Sequence, residues 1–169
     1  IVGQEVAEGE HPATIQPMSG ADGLSGFTGW PNGNFQVYGD NATLHIKNVL
    51  MNGVSFDQTF NLGGCIAARG DKNKIIIEDA IVYGYVTFCV STFGPSTDFH
   101  FLNSIVDGFT NGPGGQYFGG LVWGGGSWMG TYDSLEIRNS TIHNVIGEAI
   151  VIFETCDWGV IDHNTFANI

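Results

Sequence analysis

The chain has 169 residues, the length of one domain with a sizeable core. Its formal net charge is −12, and it holds only five lysine and arginine residues, so it cannot build the basic face that nucleic acid or an anionic membrane surface requires. No apolar run approaches the roughly 18 residues of a membrane helix, so membrane insertion is not expected. With 43% hydrophobic and 13% charged residues, the composition predicts a globular chain.

Residues 1–34, with IVG (1–3) followed by ATIQP (13–17), predict one irregular first turn of a repeating structure. From residue 35 onward the chain repeats itself. Five phrases align without gaps: KNVLMNGV (47–54), EDAIVYGY (78–85), LNSIVDGF (102–109), RNSTIHNV (138–145) and DHNTFANI (162–169). The offsets between successive starts are 31, 24, 36 and 24. The basic unit is therefore about 24 residues long, with insertions in two of the units.

Each phrase is preceded by alternating apolar residues, the pattern of a strand with one buried face. These pairs are Leu44/Ile46, Ile75/Ile77, Phe99/Phe101, Leu135/Ile137 and the weaker Gly159/Ile161. A second apolar strand follows in four units: CIAA (65–68), FCVS (88–91), GLVW (120–123) and AIVI (149–152). Several strands in each unit of this length predict a coil whose turns stack by parallel strand pairing, and not an antiparallel sandwich.

The seventh position of the phrase is always glycine or asparagine. Its members are Gly53, Gly84, Gly108, Asn144 and Asn168. These residue types accept a left-handed backbone, so the position predicts a turn that recurs at one fixed corner.

These phrases resemble those of right-handed parallel β-helix proteins of the pectate-lyase-like superfamily, over residues 35–169. The segment DWGVIDHNTF (157–166) also resembles the WIDH segment of pectate lyases, with Asp162 and His163 at the matching positions, although two residues separate the tryptophan from the isoleucine. The implied fold is one all-β domain over residues 1–169, a right-handed parallel β-helix (β-solenoid) of about 24-residue turns with loop insertions.

The resemblance also implies a role for the second position of the phrase. In that fold, stacked side-chain amides form an asparagine ladder that hydrogen-bonds along the coil and satisfies the backbone of the turns. The ladder residues here would be Asn48, Asp79, Asn103 and Asn139. We therefore expect Asn139 to lie inside the coil.

The resemblance implies a carbohydrate-active enzyme, but the residues do not assemble its parts. A lyase acting on uronic acids commonly uses arginine or lysine as its base, and the cations here occupy an outward position or a charged bend: Lys47, Arg69, Lys72, Lys74 and Arg138. Hydrolysis needs two carboxyl groups about 5–10 Å apart. Asp79 and Asp107 are better explained as substitutions at the second and sixth positions of the repeated phrase. No catalytic residue is assigned, and lyase or glycoside hydrolase activity stays an open alternative.

No cofactor and no metal ligand are expected. Glu148, Glu154 and Asp157 flank one strand and leave calcium as an alternative to the solubilising role of surface carboxylates. His45 and His100 share an outward position two turns apart, too far to hold one metal ion together. The cysteines have no metal-finger spacing and are interpreted as buried thiols: Cys65, Cys89 and Cys156.

The most unusual stretch is a glycine- and aromatic-rich insertion at 110–133. Flexible glycine with exposed aromatic side chains can make a platform for sugar rings or a contact with another chain; alternatively, the aromatics fold back onto the coil. The candidate carbohydrate or partner contacts are Tyr117, Trp123, Trp128 and Tyr132.

Three functions remain open. The first, which the aromatic insertion and the expectation of uncapped coil ends favour, is a secreted structural β-solenoid. Its open ends or aromatic loop would join copies, end to end or laterally, into an extracellular assembly or fibre. The second is a fragment of a polysaccharide lyase or glycoside hydrolase, and the third is a non-catalytic carbohydrate-binding module. We expect an extracellular or cell-surface location, a homo-oligomer, and a polysaccharide as the alternative partner.

Overall fold

The computed structural model describes residues 13–15, 33–37, 39–53, 64–68, 70–85, 88–92, 96–108, 120–124, 132–145, 148–152 and 155–169. All regular structure in these ranges is β-strand, and they contain no helix. The described strands, in chain order, are β1 (Ala13–Ile15), β2 (Gly33–Val37), β3 (Thr43–Lys47), β4 (Val49–Asn52), β5 (Gly64–Ala68), β6 (Asn73–Glu78), β7 (Ile81–Tyr83), β8 (Phe88–Thr92), β9 (Thr97–Leu102), β10 (Ile105–Asp107), β11 (Gly120–Gly124), β12 (Tyr132–Arg138), β13 (Thr141–His143), β14 (Ile150–Ile152), β15 (Cys156–Asp162) and β16 (Thr165–Ala167).

The strands form three parallel sheets. The first sheet contains β2, β5, β8, β11 and β14; the second contains β3, β6, β9, β12 and β15; the third contains β1, β4, β7, β10, β13 and β16. The chain visits the first, second and third sheets in that order five times, and we call each such set of three strands a rung. Rung 1 is β2–β4 and rung 5 is β14–β16. The predicted all-β chain with parallel pairing is confirmed, and the arrangement is consistent with a β-helix.

The register of the second sheet reproduces the spacing of the repeated phrases. Thr43 pairs with Lys74, Lys74 with Asp98, Asp98 with Ser134, and Ser134 with Trp158. The offsets between these partners are the same as those between the phrases. The strand β1 pairs in parallel with β4. The stretch ATIQP therefore contains a strand of the third sheet.

The connections between the sheets differ in how far their lengths vary from rung to rung. Between the second and third sheets, one residue separates β3 from β4, and two residues separate the corresponding strands in rungs 2–5. The connection from the third sheet to the next rung ranges from residues 84–87 to residues 108–119. The insertions therefore avoid the corner between the second and third sheets.

Inward residues of the second sheet form two apolar columns. Their fully buried members are Ile46, Ile77, Phe101 and Ile137 in one column, and Ile75, Phe99 and Leu135 in the other. Each such side chain contributes about 1.5–3 kcal/mol by leaving water. The rings of Phe99 and Phe101 lie 6.3 Å apart between centroids. The alternation read from the sequence therefore identifies the core face of this sheet.

The left-handed backbone predicted for the seventh position of the phrase is present at three of its five members and absent at Gly53 and Gly108. Gly84, Asn144 and Asn168 have positive φ angles of 77°, 56° and 53°. At Gly53 there is no room for a side chain, because a Cβ added there would lie 2.8 Å from the carbonyl oxygen of Gly84.

The second position of the phrase is not an interior ladder. The residues there adopt the left-handed conformation: Asn48 (54°), Asp79 (50°), Asn103 (50°), Asn139 (51°) and His163 (52°). Asp79, Asn103 and Asn139 are exposed, and Asn48 is half-buried. The expectation that Asn139 lies inside is therefore wrong. Asn, Asp and His are the non-glycine residues most often found at positive φ, so the backbone of the corner, and not amide stacking, accounts for this column.

The interior ladder lies one position later in the phrase, on Ala80, Ser104, Ser140 and Asn164. Ser104 Oγ accepts a hydrogen bond from the Ala80 N–H at 3.0 Å, and Ser140 Oγ accepts one from the Ser104 N–H at 3.1 Å. Asn164 Oδ1 accepts from the Ser140 N–H at 2.9 Å. Both serine hydroxyls also donate to the carbonyl oxygen two residues earlier, at 2.7 and 2.8 Å. The corner N–H groups of Ala80, Ser104 and Ser140 thus each find an acceptor in the next rung.

Replacing Ser140 by alanine should lower the free energy of unfolding by about 1–3 kcal/mol, because the buried Ser104 N–H would lose its acceptor. Thr165→Ala changes an exposed residue in β16 and should stay within about 0.5 kcal/mol. Denaturant titration followed by circular dichroism measures both. Equal losses in the two variants would contradict the ladder.

Asn139→Gly should leave the unfolding free energy within about 0.5 kcal/mol, because glycine accepts a positive φ, whereas Asn139→Val should lower it by about 1–2 kcal/mol. The same titration applies, and the two variants control for each other. An interior amide ladder would instead make the glycine variant strongly destabilised.

Candidate functional site

The outer face of the second sheet brings three outward positions from every rung into columns. From rung 1 to rung 5 the rows are Thr43, His45, Lys47; Lys74, Ile76, Glu78; Asp98, His100, Leu102; Ser134, Glu136, Arg138; and Trp158, Val160, Asp162. Neighbouring rows are about 4.8 Å apart and neighbouring columns about 6.6 Å apart. Residues far apart in the sequence therefore become regular neighbours on this face.

A charged group occupies the centre of the face. His100 Nδ1 lies 2.8 Å from Glu136 Oε2, and Arg138 Nε lies 2.7 Å from Glu136 Oε1. The Arg138 N–H is not directed at the oxygen, so this second contact is an ion pair without a proper hydrogen bond. The side chains of His100 and Glu136 are each 19% exposed. Glu136 thus has both carboxylate oxygens engaged by neighbouring cationic or polar groups.

Asp98 and Ser134 lie in the adjacent column. Ser134 Oγ donates a hydrogen bond of 2.6 Å to Asp98 Oδ1. The Cα atoms of Asp98 and Glu136 are roughly 8 Å apart across the diagonal of the grid. We call the five residues Asp98, His100, Ser134, Glu136 and Arg138 the polar patch.

A second charged group lies at the rung 1 end. Lys47 Nζ is 2.9 Å from Glu78 Oε1 and 3.3 Å from Asp79 Oδ2, and His45 Nε2 is 3.1 Å from Glu78 Oε2. The hydrogen bond from Lys47 lowers the pKa of Glu78 below its ordinary 4.5, and the same bond raises the pKa of Lys47 above 10.5. Both charges are therefore held in their ionised forms, although such open pairs add little stability.

Trp158 lies on this face beside the polar patch. It is 49% exposed and pairs in register with Ser134, so it continues the column of Asp98 and Ser134. In the sequence, this tryptophan belongs to the segment that resembles WIDH, and no contact role is predicted for it. Its signal was available, because counting back in twos from the outward Asp162 places Trp158 on the outer face.

Tyr132 does not belong to a contact surface. It is 1% exposed, its ring centroid lies 6.5 Å from that of Phe99, and its hydroxyl hydrogen-bonds Thr92. Burial raises the pKa of Tyr132 well above its ordinary value of 10. The expectation that Tyr132 contacts carbohydrate or a partner is therefore corrected, because its side chain is packed in the core.

The other aromatic candidates are only partly placed. Trp123 lies in β11, in register with Ser91 of β8 and Val151 of β14. Tyr117, Trp128 and most of the insertion at 110–133 fall outside the described residues. Their contact role stays a prediction.

The positions suggested for metals and bases are scattered. Lys47 and Arg138 lie on the outer face, as their column predicted. Glu148 and Asp157 are exposed, and Glu154 falls outside the described residues. Within the ranges that the structure covers, no group of three or more His, Cys, Asp and Glu residues is arranged to hold a metal ion. The same ranges contain no helix long and apolar enough to cross a membrane.

Comparison with protein families, with curated proteins and with solved structures found no match to this chain. Function must therefore be argued from the fold and from the outer face of the second sheet.

Proposed function

We propose that this protein is a right-handed parallel β-helix of the pectate-lyase-like type that binds a polysaccharide along the outer face of its second sheet. The cyclic order of the three parallel sheets and the repeated phrases support the fold assignment. The proposal includes an extracellular or cell-surface location, where the protein would meet such a polysaccharide.

The observation that carries the proposal is the exposed indole of Trp158 beside the polar patch. An exposed tryptophan on a flat sheet offers a hydrophobic ring face for stacking against a sugar, with polar groups at its edge. Ser134 is its neighbour in register, and Glu136 lies one column away. The sugar face and the sugar hydroxyls would thus each meet a suitable partner.

The polar patch supplies both directions of hydrogen bonding. Arg138, His100 and Ser134 carry donors, while Asp98 and Glu136 carry acceptor oxygens. Sugar hydroxyls act as donors and acceptors at once and therefore match a mixed surface of this kind. The net charge of −12 would repel an acidic chain, so the proposed ligand is a neutral polysaccharide.

Binding without cleavage fits the engagement of the two carboxylates. Hydrolysis requires one carboxyl group that is free to deliver a proton and a second that acts as base or nucleophile. Glu136 is held by His100 and Arg138 on both oxygens, and Asp98 accepts a hydrogen bond from Ser134. With these contacts, the carboxylates of Glu136 and Asp98 are better suited to orienting a sugar than to transferring a proton.

Trp158→Ala should weaken binding of a soluble neutral polysaccharide about tenfold, equivalent to about 1.4 kcal/mol, because the stacking face is lost. Calorimetric titration against a panel of neutral and acidic polysaccharides measures the change. Ile105→Ala is the matched control, since Ile105 is 38% exposed but lies on the third sheet. It should leave the affinity unchanged.

A wild-type protein that binds no neutral polysaccharide in the panel would refute the proposal. Equal losses in the Trp158 and Ile105 variants would remove the second sheet as the binding face. Tighter binding of acidic than of neutral chains would contradict the charge argument.

Exposed core positions in rung 5 favour self-association as a second candidate function, that of a structural β-solenoid. Ile161, Phe166 and Ile169 are 52%, 44% and 52% exposed. Their counterparts in rung 4 are almost fully buried: Ile137 (0%), Ile142 (0%) and Val145 (2%). These three side chains of rung 5 therefore present an apolar surface on which one more rung could pack.

A second copy of the chain is the occupant that we propose for this face. Among the described strands, β14, β15 and β16 lie at one edge of the three sheets, and β2 and β3 lie at the opposite edge of the first and second sheets. Head-to-tail stacking would pair these edges in parallel and bury the apolar columns, as in other heterologous assemblies. The aromatic insertion at 110–133 could contribute lateral contacts.

Sedimentation velocity over a range of concentrations should show the wild-type chain growing beyond the 18.1 kDa monomer. Phe166→Asp should stay monomeric, because it places a charge in the stacking interface. Thr165→Asp, an exposed neighbour in the same strand, should assemble like the wild type. A wild-type chain that stays monomeric throughout, or assembly that survives Phe166→Asp, would count against self-association through this face.

A further inference from the structure

Two asparagines begin triplets of the kind that accept an N-linked sugar. The triplets are NAT (41–43) and NST (139–141), and no other asparagine of the sequence stands two residues before a serine or threonine. The acceptor pattern requires an asparagine, any residue except proline, and then a serine or threonine. An attached sugar is bulky and polar, so it must lie on the surface of the folded protein. The structure therefore decides whether either triplet is usable.

Both asparagines occupy the same kind of corner. Asn41 and Asn139 have left-handed backbones, with φ angles of 57° and 51°, and both residues are exposed. Asn41 lies two residues before β3, and Asn139 directly follows β12. Their backbone N–H groups donate to carbonyl oxygens of the next rung, Asp71 at 2.8 Å and Asp162 at 3.2 Å. The backbone thus ties each corner to the coil, and the side chain is left on the outside.

Interior asparagines are unsuited to the same modification. Asn73 is fully buried, and its Oδ1 accepts a hydrogen bond from the Ala42 N–H at 2.9 Å. Asn164 donates through Nδ2, the atom that would carry a sugar, to the carbonyl oxygen of Ile137 at 2.7 Å. A sugar on either amide would prevent two rungs from closing on each other. Neither asparagine begins a triplet, so both triplets fall on outward corners.

We infer that Asn41 and Asn139 are acceptor sites for an N-linked oligosaccharide, an inference that rests on the extracellular or cell-surface location included in the proposed function. The donor class is an oligosaccharide joined through a diphosphate to a polyprenyl lipid. The bond from C1 of the first sugar to the diphosphate oxygen breaks, and a bond from that carbon to asparagine Nδ2 forms. The amide loses one proton, and the lipid diphosphate leaves.

The second triplet shows how a sugar and the interior ladder can coexist. Ser140 turns inward and accepts a hydrogen bond from the Ser104 N–H at 3.1 Å, while its neighbour Asn139 is exposed. Thr141 alternates with the buried Ile142 and therefore lies on the outer face of the third sheet. A sugar at this corner leaves both the ladder and the core undisturbed.

The test uses the protein from its native source and the full chain secreted from eukaryotic cells. Peptide mapping by mass spectrometry is carried out before and after treatment with peptide N-glycosidase, which releases the sugar and leaves aspartate at the carrier position. We expect sugar at both Asn41 and Asn139 in both preparations.

Variants of the third triplet residue assign the sites. Thr43→Val and Thr141→Val should each remove one sugar, because the hydroxyl group is lost, while valine suits a strand. Thr165→Val is the matched control. Thr165 pairs in register with Thr141 and directly follows an asparagine, but it completes no triplet. This control should keep both sugars.

Ile105→Thr tests the corner itself. Asn103 has the same left-handed backbone as Asn139, with a φ angle of 50°, and is exposed. Ile105, two residues later, is 38% exposed. The substitution completes a triplet in rung 3, so the secreted variant should gain a third sugar and keep its circular dichroism spectrum.

Native protein that carries no sugar at either position would overturn the inference, even where the secreted chain is modified. Sugar at only one position would overturn the assignment of the other. Retention of both sugars in Thr43→Val or Thr141→Val, loss of one in Thr165→Val, or no gain in folded Ile105→Thr would also contradict it.

The outcome is separable from polysaccharide binding. A protein that carries both sugars but binds no polysaccharide refutes the binding proposal alone. A protein that binds a neutral polysaccharide through Trp158 but carries no sugar refutes the modification alone.

Discussion

In-register parallel hydrogen bonding between rungs is the constraint on which this structure depends. Because each residue faces its counterpart in the next rung, every position becomes a column through the whole molecule. In the core, this register stacks inward isoleucine and phenylalanine side chains on the residues at the same position of the next rung. Outside, it brings His100 to Glu136 and Lys47 to Glu78, although the members of each pair are far apart in the sequence. Core packing and surface chemistry thus follow from one register.

The period, the strands and the core face of the second sheet could be predicted from sequence, because each depends on local alternation and on repeat length. The ladder was placed one position too early. Asn139 and Ser140 are neighbouring polar residues, and only the φ angle of the corner decides which side chain points inward. A left-handed residue turns outward here and leaves the hydroxyl of Ser140 inside. Sequence pattern alone does not report that angle.

The candidate site was harder to predict than the fold. Tyr132 was grouped with the aromatics of the insertion, yet the alternation of burial in β12 breaks near its start, where Tyr132 is buried. Trp158 lies in a segment whose resemblance points to the fold, and its place beside the polar patch follows from its register with Ser134. The His100–Glu136 and Asp98–Ser134 pairs join residues on opposite sides of a long insertion, and an error of one residue in register would move each to the other face. Such pairs require the three-dimensional register.

The two-residue corner between the second and third sheets has the same length in rungs 2–5, while the other connections vary. This corner of constant length therefore fixes the axial rise and the angular position of each repeat. Variation in the longer connections can proceed without disturbing the outer face of the second sheet. Duplication of a whole repeat unit would lengthen that face by one row at unchanged spacing. A fold of this kind can thus adjust the length of its surface independently of the loops that border it.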